Sequence, residues 1–155
     1  MEKSYLDAAS IRILRELQQD GRLSVNELAE RVGMSAAPCW RRQKELEENG
    51  YIRRYAALLE RRKLDLGLVC MLHVSLTRHE AGVVEAFEAQ MKACREVMEC
   101  YEMTGTSDYI VKVMVANMDA YHDLLHNVLL KLPGVSQLNT SVALREVKYE
   151  TALPL

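Results

Sequence analysis

The chain has 155 residues, 49% hydrophobic and 27% charged, enough for one good core or two small ones and ordinary for a soluble globular protein. Its longest apolar run, residues 66–74, is short and contains His73, and the N-terminus lacks the basic-then-apolar order of a secretory signal, so neither a membrane span nor a targeting segment is expected. The net charge of −2 looks wrong for a nucleic-acid binder, but residues 1–63 hold 13 Lys and Arg against 10 Asp and Glu (+3) while the rest hold 7 against 12 (−5), so a polyanion-facing surface belongs in the first half.

Leu6-Asp7 opens a first helix, with Asp7 as cap or first-turn acid and Ile11, Leu14 and Leu17 as its apolar stripe; Gln19-Asp20-Gly21-Arg22 ends it. Ser24 and Glu27 form a capping box, the hydroxyl taking an amide of the first turn and the carboxylate reaching back. A second helix therefore starts there and turns Val25, Leu28, Ala29 and Val32 inward. Gly33-Met34 leads into Ser35, a good N-cap, and Pro38 is tolerated only near a helix start. The third helix begins at this point and runs to Asn49-Gly50, where glycine supplies a left-handed stop. Two short helices joined by a Gly-containing turn, behind an N-terminal helix, make a helix-turn-helix. One residue conflicts with this reading: Gln43 stands between Cys39 and Leu46 on the inner face of the third helix, where an apolar side chain is expected.

Residues 51–55, Tyr-Ile-Arg-Arg-Tyr, alternate like a wing strand, and the basic run Arg61-Arg62-Lys63 reads as part of a hinge, either a solvated connector or a phosphate contact. From Leu68 the period changes. Residues 68–76 read as a strand; Val83, Val84, Phe87 and Met91 mark a helix; residues 97–104 and 109–115 are strands around the turn Gly105-Thr106-Ser107-Asp108. Asn117 caps a last helix with the inner stripe Tyr121, Leu124, Leu125, Val128 and Leu132, stopped by Pro133-Gly134, and a final strand runs from Val135 to about Leu144. The order βαββαβ is that of a ferredoxin-like sandwich, with both helices on one face of an antiparallel sheet. The other face is expected to be rich in exposed apolar residues and to pair with a second copy. The expected organisation is α+β: a helix-turn-helix over residues 1–52, a strand and hinge linker over 53–67, and a ferredoxin-like domain over 68–155.

Chemistry-bearing residues are few. Ala36 and Ala37 are small enough for close backbone approach, and Trp40, Arg41 and Lys44 share a helix face that a major groove accepts, Arg reading guanine edges and Lys the phosphates. The alternative is a solvated amphipathic helix. Cys39, Cys70, Cys94 and Cys100 show no paired short spacing, so reduced thiols and no metal framework are expected. His122 and His126 have a zinc-compatible spacing but no obvious third ligand, and no nucleophile is paired with a base by local motif. No catalytic residues, metal or cofactor are therefore expected. The turn of Gly105, Thr106 and Asp108, followed by Tyr109, offers amides for a carboxylate and a carboxylate for an ammonium, which is what a free amino acid requires; a plain hairpin turn is the competing reading. On residues alone, a small metabolite-binding module or enzyme on a dimeric ferredoxin-like sheet remains the rival class.

Leu6-Asp7 with Ile13-Leu14, Asp20-Gly21-Arg22, Glu27-Leu28-Ala29, Ser35 with Pro38-Cys39-Trp40 and Arg42, and Leu46-Glu47 with Gly50 form one half of an ordered set. Cys100-Tyr101, Gly105 with Asp108-Tyr109, Leu132-Pro133-Gly134-Val135, Thr140, and Val147-Lys148 with Leu153-Pro154-Leu155 form the other. Together they resemble the Lrp/AsnC, or feast/famine, family of bacterial and archaeal transcription regulators, over nearly the whole chain. The resemblance implies a winged-type helix-turn-helix joined by a hinge to a ferredoxin-like sensing domain, and hence a cytoplasmic regulator that binds double-stranded DNA. It also implies dimers that assemble further, often to octamers, with a small effector, usually an amino acid, bound between sensing domains of neighbouring dimers. Carried over, DNA-reading positions fall on Ser35, Ala36, Ala37, Trp40, Arg41 and Lys44, and the effector site on Met103, Gly105, Thr106, Asp108, Tyr109 and Thr140. Two positions depart from the family: Gln43 replaces an aliphatic, and Thr106 stands where an acidic or amide residue is frequent.

Overall fold

The computed structural model describes residues 6–77 and 81–155, and the chain forms two units: Met1–Leu58 with Lys148–Leu155, and Leu59–Val147. In the first unit the Asp7 carboxylate accepts from the Ser10 amide at 2.8 Å and starts α1, Ala8–Gln19. The capping box forms in full, Glu27 accepting from the Ser24 amide at 2.8 Å and Ser24 from the Glu27 amide at 3.3 Å, and starts α2, Val25–Val32. The third helix, α3, spans Ala36–Glu48, and Gly33 and Gly50 end α2 and α3 with φ of +69° and +75°. Ser35 precedes α3 in an extended conformation, but its hydroxyl makes no capping bond. The third helical residue, one of the two whose amide such a hydroxyl can take, is Pro38, which has none.

The three helices close on Ile13, Leu14, Leu17, Leu28, Ala29, Val32, Cys39 and Leu46, all buried. Ile13 takes the central place in α1, whereas Ile11, expected in the stripe, is only half-buried. Residues 51–60 contain neither helix nor strand. The expected strand over 51–55 therefore does not form: among the described residues it has no neighbouring strand, and a backbone needs one to pair its amides and carbonyls in a ladder. The tail lies in this unit too. Gln18 gives its side-chain amide to the Leu153 carbonyl at 3.1 Å and accepts the Leu153 amide at 2.6 Å, while Arg15 Nε donates to the Leu155 carbonyl at 2.8 Å. Residues 148–155 are thus grouped with the helices rather than with the sheet that the sequence continues from.

The second unit begins with a 3₁₀ turn, Arg61–Leu64, and has the order β1 (Leu68–Leu76), α4 (Ala81–Ala93), β2 (Val97–Glu102), β3 (Tyr109–Val115), α5 (Met118–Asn127) and β4 (Val135–Val142). The strands lie in the order β2-β3-β1-β4 and every neighbouring pair is antiparallel, as a ferredoxin-like sandwich requires. Alternate residues Cys70, Leu72, Val74 and Leu76 of β1 and Tyr109, Val111, Val113 and Val115 of β3 meet Phe87 and Met91 of α4 and Tyr121 and Leu124 of α5 in one core. The last helix ends at Asn127, earlier than Pro133, and a 3₁₀ turn at Leu129–Lys131 follows. Tighter winding there turns Leu129 inward, 1% exposed, while Leu125 stays half-buried. The open face of the sheet is mixed rather than uniformly apolar: Met71, Ile110, Met114 and Tyr101 alternate with His73, Lys112 and Glu99, the last two joined at 2.7 Å.

Candidate nucleic-acid interface and effector site

Burial divides α3 into two faces. Cys39 and Leu46 are 0% and 3% exposed, whereas Trp40 is 50% exposed and Ala37, Arg41 and Lys44 lie open on the opposite side, at spacings of three and four residues. Ser35 is also exposed, just ahead of the helix. Ala36 leaves the group, being half-buried against the three-helix core. Arg42 is turned the other way: its guanidinium grips the Asp7 carboxylate at 2.5 Å and reaches the Ser10 hydroxyl at 3.4 Å, which fastens α3 to the start of α1. A half-exposed tryptophan beside an arginine that has no ion-pair partner among the described residues adds nothing to this small core, but it suits a surface that docks on a partner.

Gln43 finds its partner in a residue that the sequence reading passed over. Its side-chain amide donates to the Tyr55 hydroxyl at 2.9 Å and to Glu47 Oε1 at 3.3 Å, and the Tyr55 hydroxyl in turn donates to Glu47 Oε1 at 2.9 Å. The other carboxylate oxygen, Oε2, takes the Lys44 ammonium at 3.0 Å. That ammonium, then the hydroxyl and amide, hold the Glu47 carboxyl below the usual glutamate value, and burial pushes the Tyr55 phenol up. A polar residue at an inner helix position was the available signal for this network.

At the far end of the sheet, Gly105 has φ of +125°, a conformation that favours glycine, and the turn is closed by the Met103 amide donating to the Asp108 carbonyl at 2.8 Å. Asp108 ties two strands together: its amide donates to the Val74 carbonyl at 2.9 Å and its carboxylate accepts from the Leu76 amide at 2.7 Å. Met103, Gly105 and Thr106 are exposed. Tyr109 is not part of this surface. It is 3% exposed on the helix side of the sheet, its ring 4.7 Å from Phe87 and its hydroxyl 3.5 Å from Glu88 Oε1, because an odd position on β3 points into the core. Burial raises its phenol pKa. It lines a cleft of about 350 Å³ between α4 and β2, together with Met91, Val97 and Cys100. Thr140 is also apart from the turn: it lies on β4, with β1 between it and β3, and its hydroxyl meets that of buried Tyr121 at 2.5 Å.

The remaining candidates carry less. His122 and His126 stack at 4.3 Å on the exposed side of α5, and among the described residues no three His, Cys, Asp or Glu side chains gather around a common point. All four cysteines are free, and burial pushes their thiol pKa values up. No helix among the described residues is long and apolar enough to cross a membrane.

Comparison with known proteins finds relatives along most of the chain. Residues 6–53 match the winged helix-turn-helix DNA-binding domain and residues 69–153 the Lrp/AsnC ligand binding domain. The chain is 42% identical over 150 residues to the leucine-responsive regulatory protein of Haemophilus influenzae, covering 97% of this chain and 90% of that protein. It is 41% identical over 148 residues to the Escherichia coli K12 protein of the same name, covering 96% and 90%. Among solved structures it resembles a transcriptional regulator of Neisseria meningitidis in complex with L-Met, with a TM-score of 0.92, 39% identity and 97% of both chains covered. An AsnC family transcriptional regulator from Agrobacterium tumefaciens also superposes with a TM-score of 0.92, at 34% identity over 96% of this chain and 97% of that one. A helix-turn-helix whose third helix turns its basic and aromatic side outward, followed by a ferredoxin-like domain that matches the ligand-binding model, leaves no place for the enzyme reading: the chain belongs to the Lrp/AsnC family of effector-modulated, DNA-binding transcription regulators.

Proposed function

We propose that Ser35, Ala37, Trp40, Arg41 and Lys44 form the DNA-reading surface and that an apolar α-amino acid, leucine or methionine first among those to test, is the effector. The observation that carries the DNA assignment is the exposed face of α3, where Trp40 at 50% exposure stands with Arg41 and Lys44 opposite a fully buried Cys39. Residues 1–52 read DNA, 53–67 connect, and 68–147 sense, while the tail 148–155 packs with the helices. In a dimer two copies of α3 enter successive major grooves about one helical turn apart, which also doubles the modest positive charge of the first half. The exposed apolar side chains of the second unit, Leu59, Tyr101 and Met103 among them, support dimers that assemble further, and octamers are the state to look for. Met103, Gly105, Thr106 and Asp108 supply the turn side of the effector site and Thr140 belongs to a second surface that a neighbouring copy brings against it; Tyr109 supports the site from within the core. The compartment is the cytoplasm, where the DNA is.

The effector acts by binding one assembly or DNA-bound form better than another. The deciding experiment is a gel shift on the DNA upstream of this protein's own gene, repeated with each common amino acid and at two salt concentrations. A band that weakens steeply with salt and that leucine or methionine strengthens, weakens or moves is the expected result. A band indifferent to every amino acid would overturn the effector assignment and leave the DNA one, and no band at low salt would overturn the DNA-reading surface.

A further inference from the structure

Among the described residues, the one charged side chain paired with the proposed reading surface is Glu47, and it is held from three sides. Its Oε2 takes Lys44 Nζ at 3.0 Å, and its Oε1 accepts from the Tyr55 hydroxyl at 2.9 Å and from Gln43 Nε2 at 3.3 Å. The ring of Tyr55 is itself fixed, because it lies over the backbone of Gly21: a Cβ there would stand 3.1 Å from Tyr55 Cδ1. Three residues thus hold the carboxylate, one of them from the segment that follows α3, and only one of its partners, Lys44, belongs to the surface that faces DNA.

An i, i+3 ion pair on a helix surface contributes little to stability, at most about 1 kcal/mol, and offers no reason for two further groups to orient its acid. Its consequence for DNA binding is larger. A lysine already neutralised by a fixed carboxylate brings less net positive charge to a phosphate, so it releases fewer counterions when it binds. We infer that Glu47 is a positioning residue that restrains Lys44, and that Tyr55 and Gln43 hold Glu47 in place, so that DNA affinity is set by competition between Glu47 and phosphate for one ammonium. The inference rests on the reading that Lys44 contacts DNA. It assigns to Tyr55 and Gln43 a part in that competition which neither would have by touching DNA.

The test measures affinity for the same duplex across a salt series for the full-length protein and its variants. Glu47→Gln is expected to tighten binding several-fold at low salt and to steepen the slope of log affinity against log salt by about 0.9 for each recognition helix engaged. Glu48→Gln removes the same charge one residue away, from a group that Lys44 does not bond, and is expected to change both far less. Tyr55→Phe keeps the net charge and releases the carboxylate from its hydroxyl, so it should move affinity in the direction of Glu47→Gln by a smaller factor. In a Lys44→Ala background, Glu47→Gln should do no more than Glu48→Gln; a general charge effect would not make the excess effect of Glu47→Gln depend on Lys44 in this way. If Lys44→Ala leaves the salt slope unchanged, the reading that Lys44 meets phosphate is overturned. If Lys44→Ala flattens the slope while Glu47→Gln and Glu48→Gln have equal effects, that reading stands and the restraint is overturned.

Discussion

Asp108 is the residue at which a structural and a ligand-binding role can be separated by choice of substitution. Its carboxylate accepts the Leu76 amide at 2.7 Å, its amide donates to Val74 at 2.9 Å, and its carbonyl closes the turn by accepting from Met103 at 2.8 Å. The two backbone bonds survive Asp108→Asn and Asp108→Ala, so what these variants change is the carboxylate. Asp108→Asn keeps the shape and an oxygen acceptor but loses the charge, and is expected to cost about 0.5–1.5 kcal/mol, the ordinary net value of one hydrogen bond. Asp108→Ala leaves the Leu76 amide without its acceptor in a half-buried position, at about 1–3 kcal/mol. In a chain of this size that is about 2–4 °C of Tm per kcal/mol, measurable by thermal melt. Both variants lack the charge that an ammonium group would meet, so both should lose effector binding in calorimetry while the effector-free protein still shifts its DNA. Asp108→Asn that folds and binds the effector with unchanged affinity would refute the role of this carboxylate, and a Leu76 contact without energetic weight would show as an Asp108→Ala midpoint equal to wild type.

Arg41→Ala should cost about 1–3 kcal/mol of specific binding and relax base preference at one position of the footprint, whereas an unchanged preference would place Arg41 on phosphate or in solvent. Gly134→Ala should cost more than about 1 kcal/mol in chemical denaturation, because φ is +75° and the new Cβ would lie 2.2 Å from Val83 Cγ1; an unchanged midpoint would refute that packing. The Lys112 ammonium, with help from the Tyr101 hydroxyl, holds the Glu99 carboxyl below its usual 4.5. A carboxyl depressed by folding stabilises the fold above its unfolded value and loses that contribution as pH falls through the lower folded one. The stability gap between wild type and Lys112→Met, read by urea midpoint, should therefore shrink between about pH 6 and pH 3, and a constant gap would refute the pairing.

What the sequence disclosed follows from which forces are local. The capping box of Ser24 and Glu27, the Asp7 and Asn117 caps and the strand alternation of β3 depend on neighbours within four residues, and each stands in the structure where periodicity and capping chemistry put it. The departures have separate causes, some local and some far along the chain. Ser35 makes no cap bond, and Pro38 lacks one of the two amides that its hydroxyl could accept from. The alternation of residues 51–55 resembled a strand, yet Tyr55 docks on α3 through Gln43 and Glu47, contacts that a periodicity argument does not include. Tyr109 looked like a site aromatic by adjacency to Asp108, but one step along a strand reverses the face, and it joined the core. The exposed face of α3, the candidate DNA surface, was legible because a helix shows both faces in its own sequence. The effector site was less so, since Thr140 and the turn are brought to their places by strand order alone.

That separation bears on how the regulator responds. Within one molecule the turn of Gly105, Thr106 and Asp108 leads into β3, Thr140 belongs to β4, and β1 runs between them. The hydroxyl of Thr140 is engaged by Tyr121 in the same chain, so on the proposed assignment the effector residues of one copy fall on two separate surfaces. If a neighbouring copy completes the site, ligand binding and assembly are one coupled equilibrium: the factor by which effector strengthens assembly equals the factor by which assembly strengthens effector binding. Apparent effector affinity should then rise with protein concentration and level off once assembly saturates. Calorimetric titrations at several protein concentrations, alongside sedimentation at the same concentrations, make the comparison directly. An effector affinity that stays constant while the sedimenting species changes from small to large would show that each chain holds a complete site, and would move the search to the cleft beside Tyr109.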